Sequence, residues 1–270
     1  MDNGNGFAFV RLNRMERGVC RLGLSASYRP GRKAIERALA EGVNYCFLFG
    51  VDGQMVSVLS HLSASERERL VIATGAYNYI WTRQNFRRTL EKRLRQLKTD
   101  YIDLFHFLGV MKPGEFPPEA QEELLALRAS GKVRAVAISV HDRKFAGQLA
   151  GSGLLDALMI RYNAAHRGAE QDIFPYLGEH PPSVIGYTAT RWTHLLRRPR
   201  GWNGDVATAQ QCYRFVLSNP AVNVCLMAPR SGRELLDNLA ALKQGPVTEE
   251  ERRFLCEFGD AVHRRAGWFM

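Results

Sequence analysis

Short apolar runs rich in β-branched and aromatic residues recur along the chain, each followed by a stretch in which apolar residues return every three or four positions. Runs without polar alternation read as strands buried on both faces, and the helical period reads as amphipathic helix. Strands are therefore predicted over residues 21–25, 44–47, 70–74, 102–107, 135–139, 157–162, 184–188 and 224–227. The helices predicted with them span 32–41, 55–62, 83–97, 118–130, 143–151, 169–177, 207–217 and 233–242. Gly42, Gly131 and Gly153 stand where three of these helices need a left-handed C-cap. A further helix over 249–264 follows Pro246 and the capping pattern Thr248-x-x-Glu251, and runs at 7–10 and 17–20 can pair as a hairpin.

Regular alternation of strand and helix predicts an α/β fold with a parallel sheet. Eight repeats fit a (β/α)8 TIM barrel, which takes about 250 residues. Residues 1–270 are thus expected to form one barrel domain, its bottom closed by the N-terminal hairpin of about 7–20 and followed by the C-terminal helix of about 249–264. A doubly wound sheet has the same alternation, but no GxGxxG follows the first strand.

Composition narrows the class of protein. With 46% hydrophobic and 24% charged residues the chain is that of an ordinary globular protein. No apolar run approaches the roughly 20 residues that span a bilayer. The polar, glycine-rich start at Met1 to Gly6 has no apolar core, so no secretory signal is expected. Five cysteines without CxxC or Cys/His spacing point to free thiols in a reducing cytoplasm and to no metal site. The net charge of +10 invites a nucleic-acid reading, but the basic residues are spread along helices such as 83–98. The one dense cluster, Arg191-Trp192-Thr193-His194-Leu195-Leu196-Arg197-Arg198-Pro199-Arg200, better suits a phosphate-bearing small molecule.

One segment is more informative than the rest: Asp100-Tyr101-Ile102-Asp103-Leu104-Phe105-His106-Phe107-Leu108. It resembles the fourth barrel strand of the aldo/keto reductases, a family of NADP-dependent (β/α)8 oxidoreductases. Four further phrases resemble that family in the same order. They are Ala40-Glu41-Gly42-Val43-Asn44-Tyr45 before strand two, the run from Leu127 to Ser139 through strand five, Tyr162-Asn163 at the end of strand six, and Phe215 to Val222 before strand eight. The stretch from Arg230-Ser231 to Asn238-Leu239 resembles the family's cofactor-binding turn and helix.

The resemblance implies carbonyl reduction by a tyrosine proton donor, assisted by a lysine, an aspartate and a histidine. None of these survives. The motif Asp-Thr-Ala-x-x-Tyr-Gly corresponds to Phe47-Leu48-Phe49-Gly50-Val51-Asp52-Gly53, so the aspartate is Phe47 and the tyrosine is Asp52. The lysine is Gly75 and the histidine is Leu108. On the cofactor side Tyr187 takes the place of the aromatic that stacks on nicotinamide, Thr188 replaces a serine, and Ser139 is kept. The carboxamide-holding asparagine and glutamine are Val140 and Met159. Arg230 and Ser231 suit an adenosine 2′-phosphate, Asn238 falls in the same helix, and Arg191 lies where relatives wrap the pyrophosphate.

Strand-end polar residues carry the chemistry of such barrels. Asp52 is either a solvated turn residue or functional. His106 points to the same side as Leu108 one layer deeper, as a hydrogen-bonded core histidine or a displaced acid/base. Tyr77, Asn78 and Tyr79 follow strand three, where the aromatics either line a pocket wall or, as with Tyr77, supply a proton-donating hydroxyl. His141-Asp142 is a base with its orienting carboxylate, or a helix N-cap. Cys46 reads as buried filler. Two functions stand: an oxidoreductase with an altered site that binds NADP(H) and a small carbonyl or alcohol, or a non-catalytic relative that binds a ligand or partner. The resemblance also implies a pocket without the long C-terminal segment of many relatives, since the sequence ends at Trp268-Phe269-Met270.

Overall fold

The computed structural model describes residues 6–15, 17–50, 52–78 and 82–264. Its centre is a closed barrel of eight parallel strands: β3 (Leu22–Ser25), β4 (Tyr45–Phe47), β5 (Val71–Tyr77), β6 (Ile102–Val110), β7 (Val133–Val140), β8 (Ala157–Arg161), β9 (Ser183–Tyr187) and β10 (Val224–Met227). Each strand pairs with the next, and β10 closes on β3. The expected (β/α)8 architecture is therefore present. An antiparallel pair precedes it, β1 (Phe9–Arg11) with β2 (Gly18–Cys20).

The helices are α1 (Arg32–Ala40), α2 (Gly53–Leu59), α3 (Ala64–Glu68), α4 (Phe86–Leu97), α5 (Pro118–Ala129), α6 (Arg143–Gly151), α7 (Ala169–Asp172), α8 (Ala209–Ser218), α9 (Gly232–Gln244) and α10 (Glu249–His263). Local chemistry sets several boundaries. Ser63 and Glu66 form a capping box that starts α3, a helix the apolar pattern does not reveal because it has five residues. Asn85 caps α4 and delays it to Phe86, while Arg83 is taken into an antiparallel bridge with Asn78. The helix expected over 169–177 breaks into α7 and a 3-10 turn at Phe174–Tyr176, because Pro175 has no N–H to continue the ladder. Strands β5 and β6 run three residues further than their apolar pattern, carrying Tyr77 and Leu108 up to the barrel's C-terminal rim.

Two layers of core result. Between barrel and helices lie residues such as Ile35, Leu90, Phe105, Phe107 and Phe215. Inside the barrel lie Tyr45, Phe47, Ala73, Leu104, Leu108, Ala137, Met159 and Ile185. Gly75 pairs with His106 across β5 and β6, and a Cβ there would fall on the His106 carbonyl oxygen. The strand-three position is thus closed to a side chain by the neighbouring backbone. At the bottom of the barrel Asp103 is fully buried. It accepts from the Ile72 N–H at 3.0 Å and pairs with Arg67 at 2.7 Å and Arg134 at 3.2 Å.

Candidate active site

Strand ends β3 to β10 surround a cavity of about 600 Å³ at the C-terminal face of the barrel. Its inner wall is Phe47, Leu108, Met159 and Leu226; Ser139, His141 and Tyr187 form one side, and Arg230, Glu234 and Asn238 form another. Tyr28, Phe49 and Trp192 stand half-exposed at the mouth.

The three residues with proton chemistry expected at the inner wall are each committed elsewhere. Asp52 is 3% exposed and does not line the cavity. Its Oδ1 lies 3.3 Å from Nη1 of Arg93 on α4, and its Oδ2 accepts the Gly50 N–H at 3.1 Å. His106 is wholly buried under Phe47, with ring centroids 5.6 Å apart and the rings edge to face. Its Nδ1 donates to the Thr74 carbonyl at 3.3 Å, and its Nε2 has no partner. Burial holds this imidazole neutral, pushing it down to about 4. Tyr77 does line the cavity, but its hydroxyl donates to the Phe49 carbonyl at 2.8 Å, with the two rings edge to face at 5.4 Å. Tyr79 lies outside the described residues.

His141 faces the cavity and packs edge to face on Tyr187 at 6.4 Å. Asp142 is not its partner: the carboxylate caps α6 by accepting the Phe145 N–H at 2.9 Å. Burial lowers the His141 pKa, and the nearby Arg161 lowers it further, against an opposing pull from Glu115. The Tyr187 hydroxyl is buried beside Ser139 without a hydrogen bond of good geometry. Burial raises this phenol, while Arg161 and Ser139 act in the other direction. Cys46 is buried, and its thiol is pushed up to about 12, which makes it unreactive.

At the other end of the cavity Arg230 lies over the Tyr28 ring at 5.3 Å, and its backbone N–H donates to Glu234. Ser231 caps α9 through the Glu234 N–H at 3.2 Å. Asn238 is 2% exposed, and its Nδ2 has no partner. Thr188 lines the cavity with a left-handed backbone (φ 58°), its carbonyl held by Asn163 Nδ2 at 2.9 Å. Arg191 is buried and donates to the Val262 carbonyl near the end of α10 at 2.9 Å; it does not line the cavity. Arg191, Trp192 and Thr193 are all left-handed, a strained run that turns Trp192 to the mouth. The aromatics at the mouth escape a search for acid/base residues. Their signal is position alone: each follows the C-terminal end of a strand.

The sequence profile of the aldo/keto reductase family matches residues 25–198. The chain belongs to the aldo/keto reductase family. Methylglyoxal reductase YeaE of Escherichia coli is 28% identical over 185 residues, covering 63% of this chain and 64% of its own length. An uncharacterized oxidoreductase of Bacillus subtilis, YqkF, is 21% identical over 89% of this chain and 91% of its own. Among solved structures, aldo-keto reductase AKR11C1 from Bacillus halodurans (holo form) superposes with a TM-score of 0.75 at 19% identity, over 95% of this chain and 99% of that one. An aldo/keto reductase from Klebsiella pneumoniae, solved with NADP and acetate, has a TM-score of 0.75 at 22% identity over 94% and 95%. Within this family the chain keeps the closed eight-stranded barrel. Among the described residues no group of His, Cys, Asp or Glu has metal-binding geometry, and no helix is long and apolar enough to cross a membrane.

Proposed function

We propose that the protein binds NADP(H) along the Arg230–Asn238–Tyr187 side of the cavity and acts as an oxidoreductase on a small carbonyl or alcohol by a route that uses none of the usual proton relay. The observation that carries this reading is the unpartnered Nδ2 of Asn238, buried in the wall of a cavity that also holds Arg230. A buried amide donor without a partner is costly, and a ligand acceptor relieves that cost. The residues fit a dinucleotide phosphate: Arg230 suits the 2′-phosphate, Ser231 and the N-terminus of α9 add hydrogen-bonding and dipole support, and Asn238 suits the adenine. Ser139 and Tyr187 would flank the nicotinamide, which supplies hydride chemistry when bound. Thr188 shapes the backbone there, and Arg191 holds the loop against α10 rather than touching the ligand.

His141 is the imidazole that lines the cavity and is placed to hold or accept a proton there; Asp52 and His106 have no access to it. Calorimetric titration with NADP(H) and NAD(H) tests the cofactor reading. Tighter binding of NADP(H), with a loss of roughly 10- to 150-fold in Arg230→Ala, is expected from the removal of one charge-assisted contact. No binding of either dinucleotide at millimolar concentration overturns it. A second reading, a non-catalytic family member that binds its ligand without turnover, is favoured by the hydrocarbon inner wall. It is distinguished by NADP(H) binding without NADPH consumption across aldehydes and ketones.

A further inference from the structure

We propose that the inner half of the cavity, where relatives place their proton-transfer groups, is a subsite for an uncharged planar ring system held by Phe47, Phe49, Tyr77 and Leu108. This deepens the cofactor reading by naming the chemical class that fills the other half of the same cavity.

The argument begins with what has been withdrawn. Asp52 is turned to Arg93, His106 lies beneath Phe47, and the Tyr77 hydroxyl is given to a backbone carbonyl. What faces the inner cavity is therefore mainly apolar: the Phe47 ring, Leu108 and the Met159 thioether, with the Ser25 and Ser139 hydroxyls at their edge. Gly75 leaves no side chain there, and the His106 carbonyl prevents one. The aromatic wall is continuous. Phe47 and Phe49 are 6.5 Å apart, and Phe49 and Tyr77 are 5.4 Å apart edge to face. The Tyr77–Phe49 hydrogen bond holds the two outer rings in place, so the wall is preorganised.

The mouth carries the second observation. Of the seven large apolar side chains left exposed among the described residues, three line this one cavity: Tyr28, Phe49 and Trp192. Scattered exposed apolar residues need no explanation, but aromatics gathered at one opening above an apolar floor mark a place where a ligand replaces water. Aromatic edges and faces arranged this way suit a flat ring, with centroid separations of the kind seen between protein rings. A strongly hydrated carbonyl without a ring would leave this wall unmatched and would lose its own hydration, so the small carbonyl or alcohol of the proposed reaction is one borne on a ring.

The test is calorimetric titration of the full chain with 2-naphthol as the planar probe and hydroxyacetone as the small polar one. Each titration is run with and without saturating NADP+, with dinucleotide binding measured in parallel. The expected result is binding of 2-naphthol at least tenfold tighter than hydroxyacetone. Phe49→Ala should weaken it about tenfold, whereas Phe9→Ala, which removes an exposed ring remote from the cavity, should not. Phe47→Asp, which puts a carboxylate at the floor, should weaken it further. Because Phe49 is half-exposed and its carbonyl still accepts from Tyr77 after truncation, the first variant tests the proposal even where Phe47→Asp fails to fold. Equal binding of the two probes, no binding of 2-naphthol, or binding indifferent to Phe49→Ala overturns the subsite. Loss of NADP(H) binding alone overturns the cofactor reading and leaves the ring site standing.

Discussion

The two ends of this barrel use buried carboxylates in opposite ways. At the bottom, Asp103 is wholly buried and ties three consecutive strands or their flanks together through Ile72, Arg67 and Arg134. Asp156 does the same one strand pair further on, accepting the Val136 N–H at 2.9 Å and pairing with Arg128 at 2.9 Å. At the top, the buried carboxylate of Asp52 is drawn sideways to Arg93, and the cavity wall is lined by rings. Polar groups at the bottom serve closure of the sheet. Among the described residues buried polar atoms without a partner occur at both ends: Tyr45 Oη, Arg67 Nε and Tyr101 Oη at the bottom, and Tyr187 Oη and Asn238 Nδ2 in the cavity wall. What separates scaffold from site is where the carboxylates go: into strand-tying ion pairs at the bottom, and away from the cavity at the top.

The contrast is broken most directly at the bottom. Asp103→Ala strands the buried Arg67 and leaves the Ile72 N–H without its acceptor, and should destabilise by about 3–5 kcal/mol, read from urea unfolding. A loss below about 1 kcal/mol would show that these ion pairs contribute closure only in appearance.

Next in size is the pH response of the barrel interior. His106 has a folded pKa of about 4 against an ordinary 6.5. A lowered folded pKa means the unfolded chain takes up the proton first, so this contribution to stability is complete above pH 6.5 and declines as the pH falls towards 4. The total is about 3 kcal/mol. His106→Leu should flatten that acid limb, as followed by unfolding at a series of pH values, and an unchanged limb would mean the histidine is hydrated in the folded state.

Smaller still is the effect of a lysine at position 75. Gly75→Lys should cost about 1–3 kcal/mol, because the strand must shift to clear the His106 carbonyl. It should restore no carbonyl reduction, measured by NADPH consumption. The smallest effect expected is at the cofactor end. Glu234 stands beside Arg230, and Glu234→Gln removes a charge that opposes a 2′-phosphate. NADP(H) should tighten by roughly 2- to 5-fold by calorimetry, as fits an exposed charge pair. A weakening would mean that Glu234 holds the arginine in place.

How much was legible from the chain follows the range of the interactions. The eight strands are each recognisable from a local apolar run, and the C-caps at Gly42, Gly131 and Gly153 do adopt positive φ. The short α3 and the break at Pro175 are also local, but they are set by a hydrogen bond and by a missing N–H, which an apolar pattern does not register. The site divides in the same way. Cavity-lining positions for Tyr77, Ser139, Tyr187, Thr188 and Arg230 follow from strand-end placement, whereas Asn238 reaches the cavity from α9. Asp52 and Arg191 sit at strand-end loops too, and nothing local says that their side chains turn to Arg93 and to Val262.

The sequence by itself determined the parallel α/β alternation, the family-like phrases and the absence of acid/base side chains at Phe47, Gly75 and Leu108. Those properties reside in residue identity and short-range order. Only the tertiary structure decided which polar atoms were left for a ligand. Whether a buried hydroxyl or amide finds a partner depends on groups brought together from distant parts of the chain, as Tyr77 finds the Phe49 carbonyl and Asn238 Nδ2 finds none. Because an unmet buried donor costs more free energy than a made hydrogen bond contributes, that long-range pairing decides which donors the cavity wall still has to offer.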